Sequence, residues 1–419
     1  MKNLSDYAKV ESENKLRTTR KSDKVHPKGW EPRFEHNGKK GEIVSYPQES
    51  NKINDWSAIL EELNLDPNKF DVVEPVQVRS WDSAIDGGKR MYYYRAAIVS
   101  KELKRDDIDF KQLVSEIKKF KNSQKPKTTT NKDSLVVCLS DWQMGKPDGD
   151  GTVGIVERAS RMIPQVIEHA KNVNKLGAKI KNLYVLSLGD MIENCDGHYA
   201  SQTFGVELNK RDQSKVVRRL VTDALIEWAP HFENIVVAAI PGNHGENRNN
   251  GKSYTDLGDN EDIAIFERIS DAFKLNKKAF GHIKFVIPDN ELSLTLDISG
   301  HSVGLVHGHQ FRTGGRYSFQ KALAWLSGQA MGKSDIGDVD LLISGHFHHY
   351  FCQPRGGRWF MQCPSLDGGS GWYTDTTGDH SAPGTLVFLI SAEKKEYFWE
   401  YVKIIEWHLL EYHYEIRCN

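Results

Sequence analysis

Five short β-branched, apolar runs in this chain end in residues of a metal-ligating type. LVVCLSDWQ leads to Asp141 and Gln143, and LYVLSLGD leads to Asp190. IVVAAIPGNH leads to Asn243 and His244, SVGLVHGH to His307, and DLLISGHFHH to His346 and His348. Short continuous apolar runs bounded by turn residues are what fully buried strands look like. Amphipathic helical patterns separate them, at about 154–176, 209–229, 258–274 and 316–330. Strand–helix alternation of this kind predicts an α/β domain with mostly buried strands. In open α/β sheets ligands gather outside the carboxyl ends of the strands. Residues spread over about 200 positions are thereby brought to one rim.

The residue types narrow the chemistry. Carboxylate, amide oxygen and imidazole are ligands for Mn²⁺, iron or Zn²⁺. An aspartate that bridges two ions ~3.5–4 Å apart clamps both oxygens of an in-line phosphoryl displacement. Gly189, Gly242 and Gly345 precede ligand candidates, as tight turns at strand ends require. Each piece alone is weak. A lone Gly-Asp is usually a turn, GNH is a loop by default, and GHxH is as often structural as metal-binding. Their order, each behind an expected strand, makes coincidence improbable.

The remainder of the chain sets the frame. A length of 419 residues favours two domains, and 38% hydrophobic with 27% charged residues suits a soluble globular protein. A net charge of -1 neither favours nor excludes nucleic acid, because the distribution of charge matters more than its sum. No apolar run approaches the ~20 residues that span a bilayer, and the N-terminus is too polar for a secretory signal. The five cysteines are scattered without CxxC spacing, which fits a reducing compartment and a cytoplasmic protein. Residues 1–28 read as a flexible basic tail, and 29–120 as a small α+β domain. GEIVSY, VVEPVQVRSW and RMYYYRAAIV are its expected strands, with a turn at Asp86-Gly87-Gly88. Its helices are expected in NDWSAILEELNLD, capped by Asn54 or Asp55, and over 106–121. Residues 121–133 read as a polar linker, 134–405 as the α/β domain and 406–419 as a C-terminal extension. Trp81 and Tyr92–Tyr94 suit either base stacking or, at strand periodicity, a core.

On these motifs, residues from about 134 to 403 resemble the calcineurin-like metallophosphoesterases. The family's ordered signature is DxH, GDxx[DE], GNH[DE], a lone His and GHxH. The resemblance implies a four-layer sandwich of two mixed β-sheets flanked by helices, and two divalent ions. Mn²⁺ is the first choice, with Mg²⁺, Fe²⁺ or Zn²⁺ as alternatives. It implies that Asp141, Gln143 and His348 hold the first ion, that Asp190 bridges, and that Asn243, His307 and His346 hold the second. His244 is implied as the catalytic histidine that steadies the transition state and protonates the leaving oxygen.

Two positions depart from the pattern. Gln143 stands where the family has histidine, and an amide oxygen is the poorer ligand, so the first site is expected to be weaker. Gly245 stands where the family has a carboxylate, which leaves Glu246 either to reach back and orient His244 or to be an exposed loop carboxylate. Glu193, three residues past Asp190, is a candidate partner of a ligand. Arg248 and Arg312, with Lys252 and Arg316, are candidate phosphate contacts. Cys195 and His198 fall in the loop after the second motif, and His309 and His349 read as neighbours rather than ligands.

The layout, with SDWQxGK and GNHGENR behind a small N-terminal domain, resembles phage-borne members of the family described as DNA-repair-exonuclease-like. That resemblance implies a DNA phosphodiesterase, in a host cytoplasm if phage-encoded. The basic run Lys210, Arg211, Lys215, Arg218 and Arg219 suits a phosphate backbone. The alternatives are a phosphodiesterase or phosphatase of small nucleotides, and a binding or assembly protein weakened catalytically by Gln143. No membrane partner is expected. Self-association through the N-terminal domain or the C-terminal segment is a further expectation.

Overall fold

A computed structural model describes residues 30–36, 40–53, 55–63, 65, 67, 70–83, 89–100, 110–121, 133–199, 202–369 and 382–406. The expected basic tail, the Asp86-Gly87-Gly88 turn, nearly all of the linker and the C-terminal extension past 406 lie outside the described residues. The chain divides into two units, Met1–Arg105 and Asp106–Asn419.

In the first unit, β1 (Arg33–His36), β2 (Lys40–Val44), β3 (Phe70–Ser83) and β4 (Lys89–Ser100) form one antiparallel sheet, ordered β1-β2-β4-β3. Helix α1 (Ser57–Glu62) begins after Trp56, not after Asn54 or Asp55. The Asp55 carboxylate nevertheless accepts from the Ser57 N–H at 3.3 Å, so it serves the helix start from one position further out. Ile59 and Leu60 of α1 pack with Ile43, Tyr94, Ala96 and Ile98 in the unit's core. Tyr93 and Tyr94 are buried, with Trp81 stacked on Tyr93 at 4.8 Å. The Tyr94 hydroxyl bonds Asn51 Oδ1 and the Lys52 N–H. These aromatic rings are core.

The second unit opens with α2 (Phe110–Lys119). The sequence reading grouped this helix with the N-terminal domain. The structure instead buries its Leu113 and Ile117 in the core of the second unit, and Asn276 Nδ2 donates to its terminal carbonyls at Ile117 and Phe120. Hydrophobic periodicity shows which face of a helix is buried, not which core receives it.

The first sheet of this unit is ordered β10-β7-β6-β5-β16-β17. It contains β5 (Ser134–Leu139), β6 (Asn182–Ser187), β7 (Asn234–Ala239), β10 (Ile283–Val286), β16 (Gly384–Ile390) and β17 (Trp399–Glu406). Strands β5, β6, β7 and β10 are parallel, whereas β16 is antiparallel to β5, and β17 is antiparallel to β16. The second sheet is ordered β11-β12-β13-β15-β14. Its strands are β11 (Ser293–Ile298), β12 (His301–Val306), β13 (Leu341–Ser344), β14 (Phe351–Arg355) and β15 (Arg358–Gln362). Its middle three are parallel.

Continuous apolar strands have two faces to bury, and both are used. Val137, Leu183, Val185 and Val237 pack with the helices α3 (Gly151–Lys175), α5 (Lys210–Trp228) and α6 (Glu261–Lys274). Val136, Cys138, Leu186, Leu188 and Phe388 share a second cluster with Val303, Leu305, Leu341, Ile343 and Met361 of the other sheet. Val306, Leu342 and Phe360 then pack against α8 (Ser318–Met331) through Ala322. The short helices α4 (Gln202–Gly205) and α7 (Lys277–Phe280) and the antiparallel pair β8 (Arg248–Asn249) and β9 (Lys252–Ser253) also belong to this unit.

Candidate metal centre

The strand registers place the site. Leu139, Ser187 and Ala239 are partners across β5, β6 and β7, so the loops carrying Asp141, Asp190 and Asn243 leave the sheet side by side. Val306 pairs with Ser344 across β12 and β13, which does the same for His307 and His346. The two rims meet where His307 Nε2 lies 2.9 Å from Asp190 Oδ2 and 3.1 Å from Asn243 Oδ1. Asp190, His307 and His346 offer ligand atoms within 4.8 Å of one another, a group able to hold a metal ion.

Backbone conformation at these positions is unusual. Asp141, Gln143, Asp190, His346 and His348 all take positive φ, between 42° and 71°. Side chains other than glycine rarely adopt this region, and such residues cluster at functional sites. Two glycines explain the close approach of the loops. A Cβ on Gly242 would overlap the Asp190 carboxylate, and one on Gly345 would overlap Ser140 and Asp141.

Two carboxylate oxygens identify where a cation belongs. Asp190 Oδ1 accepts from the His244 N–H at 2.7 Å, while its buried Oδ2 faces the His307 imidazole. Asp141 Oδ2 accepts from the His346 N–H at 2.9 Å and from Ser140, while its buried Oδ1 faces His348 Nε2. Buried carboxylate oxygens are costly unless positive charge faces them, and a cation shared with these imidazoles would supply it. Burial pushes the Asp190 carboxyl up, but His307 and His244 outweigh it and hold it well below the ordinary value. Burial opposes charge on His307 as well, yet Asp190 pulls its pKa up to about 9. Burial and the neighbouring His307 push His346 down to about 4, so it stays neutral, the form that ligates. The residues at this second-ion set fit a divalent cation.

The first-ion set is arranged differently. His348 Nε2 lies 3.4 Å from Asp141 Oδ1, and its Nδ1 lies 3.6 Å from Asp367 Oδ2. Gln143 Oε1, however, accepts from Lys146 Nζ at 2.9 Å, and Gln143 Nε2 faces His244 Nε2 at 3.2 Å. An ammonium only donates, so it selects the amide oxygen and turns the nitrogen to His244. The expected ligand oxygen of Gln143 is therefore occupied by a lysine.

His244 is held on three sides. Its Nδ1 bonds the Glu193 carbonyl oxygen at 2.9 Å, and the Glu193 carboxylate lies 3.4 Å away. A carbonyl only accepts, so Nδ1 carries the proton and Nε2 is the nitrogen turned to the site. His198 stacks on the ring with centroids 4.1 Å apart, and burial, then His244 and Arg248, push its pKa down to about 3. The candidate partner Glu193 is thus in contact with His244. It also accepts from the Tyr199 hydroxyl at 2.6 Å. Glu246 does not orient His244: its carboxylate pairs with Arg248 at 2.8 Å and faces His309 at 3.8 Å. Arg248 is thereby engaged beside the site, whereas Arg312 is exposed.

Sequence reasoning missed three residues. Asp262, at the start of α6, accepts the N–H groups of Asp190, Met191 and Gly242 at 2.9–3.0 Å, clasping two ligand loops with one carboxylate. Burial, then Asp190, raises its pKa to about 6. Asp262 sits in the first turn after the N-cap Asn260, where an acidic residue usually needs no other explanation. Lys146 and Asp367 were also missed. They pair with each other, but 221 positions apart no local pattern connects them.

No protein-family model matches the chain, and no curated protein matches it. Solved structures do. A mutant of Vps29 from Entamoeba histolytica is 15% identical, with 65% of this chain and 99% of that one covered at a TM-score of 0.29. A novel archaeal phosphodiesterase is 14% identical over 64% and 99%, at 0.30. A predicted phosphoesterase from Streptococcus pneumoniae is 11% identical over 66% and 99%, at 0.26. At these scores the likeness carries no argument. What fold and site define is an α/β protein with a buried carboxylate–imidazole group suited to a divalent cation. Among the described residues, no helix is long and apolar enough to cross a membrane.

Proposed function

We infer that this chain is a metal-dependent phosphoesterase of the calcineurin-like type, cleaving phosphodiester bonds. The observation that carries the reading is the buried cluster of Asp190 Oδ2, His307 and His346 beside Asn243. The finer fold assignment belongs to the same proposal. Four layers are supported by the cluster shared between the sheets and by the helices packed on their outer faces.

Asp190, Asn243, His307 and His346 hold a divalent ion, with Mn²⁺ preferred over Mg²⁺, Fe²⁺ or Zn²⁺. Such an ion, when bound, activates water at neutral pH and polarises the phosphoryl oxygen. His244 presents Nε2 to the cleft and, once protonated there, passes its proton to the leaving oxygen. Glu193 fixes the ring through Nδ1, and Gln143 steadies Nε2. This role for His244 argues against a purely binding or assembly protein.

DNA is the proposed substrate, with small nucleotides as the alternative. The reading is supported by exposed Lys252, Arg312 and Arg316, which follow the Asn243 and His307 loops in the chain. The basic run of α5 supports it less well, because Lys215 pairs with Asp212, and Arg219 with Asp223 and Glu116.

Metal-stripped protein reconstituted with Mn²⁺ is expected to hydrolyse bis-p-nitrophenyl phosphate. His244→Ala is expected to lower turnover about 10²–10⁴-fold with metal content unchanged. A metal-loaded chain without turnover under any divalent ion would sink the enzyme reading. Digestion of single- and double-stranded DNA beside a nucleotide panel separates the two substrate classes.

A further inference from the structure

Lys146 is unusual for a lysine. Its side chain is only 12% exposed, and its ammonium pairs with the Asp367 carboxylate, itself 3% exposed. Backbone bonds fix the loop that carries it: Gln143 N–H to Asp190 O at 3.0 Å, Met144 N–H to Met191 O at 3.1 Å, and Glu193 N–H to Met144 O at 3.1 Å. Asp367 is built in as firmly, accepting from the Ser365 hydroxyl at 2.7 Å and the Gly369 N–H at 3.2 Å. The ammonium is therefore a fixed positive charge, and it rests on the amide oxygen that would have to ligate a first ion.

We propose that the Lys146 ammonium denies Gln143 to a first metal ion, so that the chain holds one divalent ion tightly, at Asp190, Asn243, His307 and His346. This rests on the metalloenzyme reading above and departs from the two-ion site that the family resemblance implies. The geometry is restrictive. An ion ligated by Gln143 Oε1 at about 2.1 Å would lie within roughly 5 Å of Nζ, because oxygen and nitrogen are 2.9 Å apart. Like charges so close in a buried site repel strongly. One of the oxygen's two lone pairs is also already directed at the ammonium. Without Gln143, only Asp141, His348 and a share of Asp190 remain for a first ion. A lysine is a charge but not a Lewis acid, so it does not generate a nucleophile. That task stays with the single ion.

The test is stoichiometry and spectroscopy on the full chain. Metal-stripped protein is titrated with Mn²⁺, followed by calorimetry, elemental analysis and electron paramagnetic resonance. The wild type is expected to bind one tight ion per chain with the six-line spectrum of isolated Mn²⁺. Gln143→His/Lys146→Met is expected to gain a second tight ion and the broadened signal of a coupled pair. Should Asp367, deprived of its partner, prevent folding, adding Asp367→Asn to the same variant removes the unpaired charge. Two equivalent tight ions in the wild type overturn this inference alone, as does a variant that still binds one. A wild type that binds none overturns the metalloenzyme reading, and this inference with it.

Discussion

At the scale of single residues, the centre depends on groups that never touch an ion. Asp262 is the clearest case, since three backbone donors of two ligand loops converge on its carboxylate. Asp262→Asn replaces one acceptor oxygen by a donor, so at least one buried N–H loses its partner. A cost of about 1–3 kcal/mol is expected, read as a lower urea midpoint, together with weaker metal binding because the Asp190 and Gly242 turns loosen. A variant as stable as the wild type would show that the clasp is dispensable. The candidate ligands were legible because each follows a strand. Lys146, Asp367 and Asp262 were not. A lysine, an aspartate in a Gly/Ser-rich loop and a helix-start aspartate have ordinary local explanations, and only their neighbours make them otherwise. Gln143 stood out in the sequence as a departure from the family pattern, but its occupied oxygen depends on a lysine whose reach the sequence does not state.

At the scale of elements, parallel registers convert separation in sequence into adjacency. The expected strands at the five motifs form, and the helices expected from 154, 209, 258 and 316 form within a few residues of those bounds. Sheet order was not legible, because any of several crossovers buries the same apolar faces. In the first unit, Glu42 of β2 pairs with Arg33 of β1 at 2.6 Å and Arg95 of β4 at 2.7 Å, fastening three strands. Burial would raise the Glu42 carboxyl, but Arg95 and then Arg33 outweigh it and lower the pKa. A depressed carboxyl stabilises the fold above the unfolded pKa of about 4.3, and that contribution is lost as pH falls through the folded value. Glu42→Gln is therefore expected to cost up to about 1 kcal/mol at pH 7, a modest value because the pair is partly exposed. The difference from wild type is expected to shrink below about pH 4. Urea unfolding at pH 7 and pH 3 checks this, and an equal difference at both would refute it.

At the scale of the whole molecule, the boundary between units falls before α2, not after it. A chain starting near residue 106 keeps Leu113, Ile117 and Phe120, whereas one starting at 122 loses them from the core. Each deeply buried apolar side chain contributes ~1.5–3 kcal/mol. The shorter chain is expected to melt well below the longer one, by thermal denaturation, and equal stability would restore the sequence-based boundary. By itself the sequence determined the alternation of strand and helix, the residue types at the strand ends and the glutamine in the Asp-Trp-Gln motif. These are local properties, set by periodicity and by the chemistry of each side chain. Tertiary structure alone decided which core α2 joins, which carboxylate orients His244 and which cation sits on Gln143. Each depends on groups brought together across tens to hundreds of positions, and pairing of that kind leaves no periodic trace in the chain.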